Sequence, residues 1–323
     1  MDESEPLIAE IPPDLSGRRL DQALAELFPR YSRSRIQQWI RAGDVRVDGR
    51  AWRAHDRLAG GERVVLQARK PAADPGCRAQ AIPLEIVYED DALLVIDKPP
   101  GLVVHPAPGN REGTLQNALL HHDPALAALP RGGLVHRLDK DTSGLLVVAR
   151  TLAAHKALVD QLQARSVERE YEALVHGVMI AGGTVDQPLG RHPVDRKRMA
   201  VVPAGRRAVT HYRVRERFRA HTWLRVRLET GRTHQIRVHM AYLRYPLVGD
   251  PVYGGRFRVP PRASEDLLGA LRALHRQALH AGRLALIHPD TGARVEWYAP
   301  LPADLEALIG VLRTDAVVAG RDR

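Results

Sequence analysis

Leu134-Val135-His136-Arg137-Leu138-Asp139-Lys140-Asp141-Thr142-Ser143-Gly144-Leu145-Leu146-Val147-Val148-Ala149-Arg150 divides into two halves of opposite character. The second half is an unbroken apolar run, the pattern of a strand buried on both faces. The first half is charged, and Asp141-Thr142-Ser143-Gly144 favours a turn. A charged loop therefore feeds a core strand. Asp139 and Asp141 sit among His136, Arg137 and Lys140. Cationic neighbours keep a carboxylate ionised, which suits a nucleophile or a charge-stabilising group. The same composition also describes a surface loop tied up in its own salt bridges.

Two further segments carry chemistry. Glu168-Arg169-Glu170-Tyr171-Glu172-Ala173-Leu174-Val175-His176-Gly177 alternates as a strand does, with Tyr171 on the face of Ala173 and Val175. A tyrosine there is core packing, or else an aromatic wall or a phenolic acid/base. Thr230-Gly231-Arg232-Thr233-His234-Gln235-Ile236-Arg237-Val238-His239-Met240 follows a strand over 223–229, and Pro246-Leu247-Val248-Gly249-Asp250-Pro251-Val252-Tyr253-Gly254 comes after it. Thr233 is the expected helix cap, which puts Arg237 about one turn inside. His234 and His239 are five apart, so they do not share a face as a zinc pair at spacing four does. With neither a G-x-x-x-x-G-K-[S/T] loop nor a G-x-G-x-x-G turn, an ATPase or a dinucleotide enzyme has no support.

The chain around these segments has 323 residues, 44% of them apolar, enough for a real core and too many for wholesale disorder. No apolar run approaches the roughly 18 residues of a membrane helix. The acidic start, Met1-Asp2-Glu3-Ser4-Glu5, does not read as a secretory signal. Cys77 is the only cysteine, which excludes intramolecular disulfides and cysteine-built zinc sites. The expectation is a cytoplasmic protein without a membrane partner. The formal charge is +10, and 43 of the 48 cations are arginine. A high-GC coding bias gives the same enrichment, so charge alone does not choose between a solvated surface and a polyanionic partner.

Residues 16–69 read as a small module. Leu20, Leu24, Leu27 and Phe28 recur at helical spacing, and a second helix carries Ile36, Trp39 and Ile40, with Ser32 or Ser34 as its cap and Gly43 as its stop. Val45 and Val47 alternate before the tight-turn pair Asp48-Gly49, and Val64–Leu66 closes a small sheet. Residues 16–66 hold 11 arginines against six acids, about half of the excess charge of the chain. Arg30, Arg33, Arg35 and Arg41 crowd around the second helix. Residues 1–15 precede the module, 70–83 read as a Pro/Gly-rich linker, 84–313 as one long mixed α+β domain, and 314–323 as a frayed tail. In the long domain the spacing predicts strands over 84–88, 92–96, 171–178, 223–229, 284–287 and 295–298. It predicts helices over 114–121 and 152–164, and a last helix capped by Asp304.

The run Arg19-Leu20-Asp21, Pro29–Arg35 and Ile40–Gly49 resembles an S4 RNA-binding domain. The three chemistry-bearing segments, with Ile96-Asp97-Lys98-Pro99-Pro100-Gly101, His105-Pro106, Gly113-Thr114-Leu115 and Arg276-Gln277-Ala278-Leu279-His280-Ala281, resemble the motifs of the A-type pseudouridine synthases. Within these the likeness is to the D-type group that acts on large-subunit ribosomal RNA. It departs from the pattern at Arg169, where lysine is usual, and at Ala107-Pro108, where the stretch is often Gly-rich.

The resemblance implies an isomerase with no cofactor and no metal. It implies Asp139 as the essential carboxylate, Tyr171 as the residue stacking on uracil and a candidate for proton transfer, and Arg237 as the partner of the aspartate. It implies Arg137 as the residue that fills the gap left by an extruded base, and Leu279 as an apolar wall. His136 and Arg232, with Arg33, Arg35 and Arg41 of the S4 module, are read as further RNA-binding residues. The implied partner is a structured stem-loop of large-subunit ribosomal RNA, helix 69 in the D type, free or in an assembling subunit. The default oligomeric state is a monomer. A C-type relative, a transfer-RNA enzyme, and an RNA-binding assembly factor with secondary catalysis are the competing readings.

Overall fold

The computed structural model describes residues 6–321 except 30, 32, 69–76, 108, 196 and 258. The chain forms two units, Met1–Asp74 and Pro75–Arg323. In the smaller, strand β1 (Leu7–Glu10) precedes helices α1 (Leu20–Leu27) and α2 (Arg33–Ala42), followed by β2 (Val45–Val47) and β3 (Arg63–Leu66). The strands form an antiparallel sheet in the order β1-β3-β2. Leu20 and Leu24 of α1 and Ile36, Trp39 and Ile40 of α2 pack on Val45, Val47, Val64 and Leu66. Gly43 ends α2 at φ 80°, and Asp48 and Gly49 turn the chain at φ 48° and 75°, a conformation this pair tolerates.

This unit begins ahead of residue 16, because β1 pairs with β3 and Ile11 and Leu15 enter the core. A four-residue edge strand is too short to announce itself by alternation. Arg30 and the candidate cap Ser32 lie outside the described residues. Helix α2 starts at Arg33, so Ser34 is inside it and is not its cap.

The larger unit runs β4 (Ile86–Glu89), β5 (Leu93–Lys98), α3 (Leu115–His122), β6 (Ser143–Ala149), α4 (Leu152–Ala164) and β7 (Glu168–His176). It continues with β8 (Gly183–Asp186), β9 (Leu189–Arg191), β10 (Met199–Val201), β11 (Val209–Arg217), β12 (His221–Leu228) and α5 (Gln235–Tyr242). It ends with α6 (Glu265–Ala273), β13 (Leu279–Ile287), β14 (Arg294–Tyr298) and α7 (Ala303–Arg321). The main sheet has the order β4-β5-β6-β13-β7-β12-β11-β8, with β14 beside β13. Pairing is antiparallel throughout except between β6 and β13. Every residue of β6 is buried, as its unbroken apolar run predicts. One face of the sheet packs Leu94, Ile96, Leu146, Tyr171 and Val226, and the other packs Leu93, Val95, Leu145, Val147 and Leu284 under α4. Each such fully buried aliphatic side chain contributes about 1.5–3 kcal/mol.

Three expected boundaries differ. Residues 70–76 of the expected linker lie outside the described residues, but 77–83 are fastened to the larger unit. Asn117 Nδ2 donates to the Arg78 carbonyl at 2.7 Å, and the Gly113 N–H donates to Gln80 Oε1 at 2.7 Å. Amide hydrogen bonds fix this segment, and a low apolar content does not forecast them. The expected tail is helical to Arg321, anchored by Asp315, which accepts from Arg219 at 2.9 Å and from the Ser264 N–H at 3.2 Å. Asp304 is the second residue of α7, not its cap, and it binds Arg276. Among the described residues, no helix is long and apolar enough to cross a membrane.

Candidate active site

Four central strands bring the chemistry-bearing segments together. The parallel pair β6–β13 aligns His280 with Ser143 and Ala281 with Gly144. Gly144 has φ +112°, and a Cβ there would fall 2.3 Å from the Ala281 carbonyl oxygen, so only glycine lets the strands meet. That contact sets the loop before β6, with Asp139, beside Leu279 at the start of β13. Leu279 pairs with Ala173 of β7, two residues from Tyr171, and Tyr171 pairs with Val226 of β12. Beyond β12 the chain turns through Gly231 into α5, which carries Arg237 in its first turn. The residue preceding α5 is His234 at φ 56°, without a side-chain cap bond, so Thr233 is not the cap.

The Asp139 loop is held from several sides. The Thr142 N–H donates to the Asp139 carbonyl at 3.1 Å, so the turn spans 139–142, two residues ahead of the expected Asp141–Gly144, and Ser143 and Gly144 already belong to β6. Lys98, fully buried, donates from Nζ to the carbonyls of Pro99, Leu102 and Lys140 at 2.7, 3.0 and 2.9 Å. Burial pushes the Lys98 pKa down to about 7, against the pull of Asp141 and Asp139. Gln277 Nε2 donates to Thr142 Oγ1 at 3.0 Å, and Arg276 Nη1 donates to the Asp141 carbonyl at 3.3 Å. Asp139 thus belongs to a braced turn, not to a loop that pairs only with itself.

Its partner comes from 98 residues away. Arg237 donates from Nη1 to Asp139 Oδ2 at 3.0 Å. The other edge of the same guanidinium grips Asp250, Nε to Oδ2 at 2.7 Å and Nη2 to Oδ1 at 2.9 Å. Asp250 Oδ1 also accepts the N–H groups of Val252 and Tyr253 at 2.8 and 2.9 Å. Arg237 is 5% exposed and the Asp250 side chain is fully buried, whereas the Asp139 side chain keeps 15% of its surface. Burial pulls the Arg237 pKa down, but Asp250 and then Asp139 outweigh it and the net shift is upward. Burial raises Asp250, Arg237 lowers it more, and the carboxylate is held ionised. Asp139 Oδ1 accepts no hydrogen bond among the described residues; His234 Nε2 stands 4.0 Å away. One oxygen of Asp139 is therefore fixed and the other is available.

Tyr171 is 6% exposed, and burial with the nearby Asp139 charge raises its phenol, against Arg169. It remains a neutral hydroxyl at physiological pH. His136 is held down to about 3, by burial and then by Arg169. Its Nε2 accepts the Val147 N–H at 3.0 Å, so the neutral ring carries its proton on Nδ1, and this atom is buried without a partner. These side chains line a cleft of about 660 Å³ that includes Asp139, Tyr171, Arg237, Arg137, His136, Leu279 and Arg232. Every site residue expected in the larger unit is in it. Arg137 is exposed at its edge. Arg232 donates from Nε to the Arg207 carbonyl at 3.2 Å.

In the smaller unit the three expected arginines differ in kind. Arg33 donates from Nε and Nη2 to the fully buried Asp21 carboxylate at 2.9 and 2.8 Å, so part of its charge is used inside the unit. Arg35 stands over the Trp39 ring at 5.3 Å. Arg41 is exposed in the last turn of α2.

Sequence reasoning assigned no role to Asp250, Lys98 or Arg169. An Asp after Gly249 and ahead of two amides it can accept from is a recognisable local signal. Its partner thirteen residues back on a helix is not. Arg169 stands out in the sequence only as a departure from the family pattern; it lies on the strand face of Tyr171 and is 7% exposed.

The RNA pseudouridylate synthase family profile matches residues 92–242, and the S4 domain profile matches 18–64. The chain is 61% identical over 307 residues to the ribosomal large subunit pseudouridine synthase D of Pseudomonas aeruginosa, covering 95% of this chain and 96% of the relative. It is 57% identical over 315 residues to the protein of that name from Xanthomonas campestris pv. campestris, covering 96% and 94%. Among solved structures it resembles human RNA pseudouridylate synthase domain containing 1, with 26% identity and a TM-score of 0.53, over 73% of this chain and 96% of that one. Human RNA pseudouridylate synthase domain containing 4 matches with 26% identity and a TM-score of 0.54, over 71% and 93%.

Proposed function

Because the chain belongs to the RNA pseudouridylate synthase family, we propose that it isomerises uridine to pseudouridine in large-subunit ribosomal RNA, with Asp139 as the carboxylate at the reacting sugar. The observation that carries this is the half-committed state of Asp139. Oδ2 is tied to Arg237 at 3.0 Å, while Oδ1 faces a cleft without accepting a hydrogen bond among the described residues.

In the reaction the N1–C1′ bond breaks, the uracil turns, and C5 bonds to C1′. C5 then gives up its proton and N1 gains one, so no atom is won or lost overall. Breaking a glycosidic bond calls for negative charge at the sugar, as in glycosidases. One carboxylate suffices here, because the freed base is re-bonded and no water has to be activated. Tyr171 and Leu279 supply an apolar wall for the uracil, and stacking on Tyr171 is worth about 1–3 kcal/mol. The Tyr171 phenol, raised by burial, enters the reaction as a neutral hydroxyl and is also the candidate for proton transfer to or from the base. Extruding the target base costs a few kcal/mol. Arg137, exposed at the cleft edge two residues before Asp139, fills the vacated space.

The S4 unit presents Arg41 and the half-exposed Arg33 to structured RNA, where shape and phosphate contacts dominate recognition. The target we favour is the helix 69 stem-loop, on the likeness of the relatives' D type. The protein acts as a monomer in the cytoplasm, on free or assembling large-subunit RNA.

Two measurements test this. Pseudouridine mapping in cells lacking the gene is expected to lose signal in the helix 69 loop; losses confined to other ribosomal or transfer-RNA uridines overturn that assignment. Purified Asp139→Asn is expected to bind the RNA as the parent does and to release no tritium from C5-tritiated uridine. Release at the parental rate removes Asp139 from the mechanism.

A further inference from the structure

Seven arginines line the cleft against two acids, Asp139 and Glu229. Arg237 is matched to Asp139 and Arg165 to Glu229, the latter at 3.1 Å. Of the remainder, Arg169 stands apart. It is 7% exposed, so most of its surface is already out of water, yet its side chain makes no ion pair or hydrogen bond among the described residues. Its Nε is one of the few buried side-chain atoms without a partner, and His136 Nδ1 is another. The two groups are close enough for Arg169 to depress the histidine, and both line the same cleft. Arg169 Nη1 reaches under Gly231, 2.7 Å from where a Cβ would stand. The glycine turn leaves the guanidinium its room at the cleft floor.

A buried cation without a counter-ion is costly, and removing such a charge commonly stabilises a fold. Its persistence in the lining of the cleft calls for a ligand that brings negative charge and accepting oxygens. RNA offers this in its phosphodiester, whereas the faces and edges of uracil are neutral before reaction.

We propose that Arg169 forms an anion subsite that binds a backbone phosphate adjoining the extruded uridine. This rests on the cleft being where the substrate uridine enters. Arg169 is then a substrate-anchoring residue that holds the flipped nucleotide by its phosphate while Tyr171 and Leu279 hold its base.

The test uses the full chain and a transcribed large-subunit RNA fragment that the parent isomerises; that isomerisation establishes the underlying reading separately. Arg169→Met is expected to bind the fragment about 10–100-fold more weakly, the loss carried by one charge-assisted hydrogen bond. Its plot of log affinity against log salt is expected to flatten by about 0.7–0.9, one phosphate's worth of counterions. Once RNA is saturating, its single-turnover rate stays within threefold of the parent, and Arg169→Lys restores most of the salt slope. Without RNA, Arg169→Met melts no lower than the parent. A fragment with one neutral methylphosphonate next to the target uridine is expected to weaken the parent and leave Arg169→Met unchanged. An unchanged salt slope, or a methylphosphonate that weakens both proteins equally, overturns the phosphate subsite. So does a single-turnover rate that collapses at unchanged affinity, which would place Arg169 on the reacting uracil instead.

Discussion

Replacing Asp250 by asparagine tests whether Arg237 is aimed or merely present. The side chain keeps its shape and loses its charge. With its oxygen at the Oδ1 position, asparagine still accepts the Val252 and Tyr253 amides and Arg237 Nη2. Its amide nitrogen then replaces Oδ2, which accepts Arg237 Nε at 2.7 Å, and a donor faces a donor. The loss is one charge-assisted hydrogen bond, about 1.5–3 kcal/mol, plus a buried donor left unpaired, about 1–3 kcal/mol. The total, roughly 2.5–6 kcal/mol, brackets the range of about 3–5 kcal/mol usual for removing one partner from a buried ion pair, and the narrower range sets the expectation. For a unit of this size each kcal/mol moves the midpoint by about 2–4 °C, so the melting temperature is expected to fall by roughly 6–20 °C.

The second expectation concerns rate. Arg237 can relieve the clash only by turning its fork, and the same fork holds Asp139 Oδ2 at 3.0 Å. A misplacement of about 1 Å costs on the order of a hundredfold in rate. Differential scanning fluorimetry reads the first effect, and tritium release from C5-labelled RNA, at a temperature where both proteins are folded, reads the second. A melting temperature within 2 °C of the parent refutes the energetic reasoning. A large drop in stability with an unaltered rate refutes the claim that Asp250 positions Asp139 through Arg237.

Two other perturbations are read the same way. Burial, and then Glu85, push Asp97 up to about 6. Below about pH 4 the carboxyl is protonated folded or unfolded and costs nothing, while above pH 6 the folded protein carries the charge and stability has been lost. Asp97→Asn, which still accepts the Gly144 N–H, is expected to melt a few degrees above the parent at pH 8 and level with it at pH 4, because partial exposure screens the penalty to about 1 kcal/mol; equal melting at both values refutes this. Removing the S4 unit, residues 1–69, is expected to weaken binding to structured RNA and flatten its salt dependence by about 0.7–0.9 for each phosphate no longer neutralised. An unchanged affinity and slope in a filter-binding titration would separate that unit from RNA recognition.

What was legible in the sequence depended on the range of the causes. Strand β6 and the turn before it are local: an apolar run and a turn composition suffice. The same holds for α4, found over residues 152–164 as its spacing predicts, and for Gly43 and Asp48-Gly49. Strand β11 and helix α6 escaped, for different reasons. Strand β11 mixes His211, Arg213, Arg215 and Arg217 into an alternation whose apolar members are few, because the strand lies near the sheet edge with one face to solvent. Helix α6 follows Pro260-Pro261 and reads as an extension of a loop until α7 and Leu274 cover Leu267 and Leu271. At the site, residue types and order pointed to Asp139, Tyr171 and Arg237 by resemblance. Their convergence needs the β6–β13 crossover, which joins residues 137 apart and has no local signature.

The arginines show the limit most plainly, and also how it is lifted. In the sequence all 43 look alike, and coding bias explains them as well as RNA does. Folding sorts them by what they face. Arg276 and Arg283 meet carboxylates and brace the fold, while Arg33 is shared between Asp21 and solvent. Arg237 meets two carboxylates and leaves one of them half free, so its charge serves another residue. Arg169 is buried and meets none. Coding bias can supply arginine at any surface position at little cost, since an exposed cation is hydrated. It does not account for an arginine held out of water without a counter-ion, because that arrangement opposes folding by itself. The informative observation is therefore not the net charge of the chain but a cation that burial has left unpaired, and Arg169 stands in the cleft where a polyanion would enter.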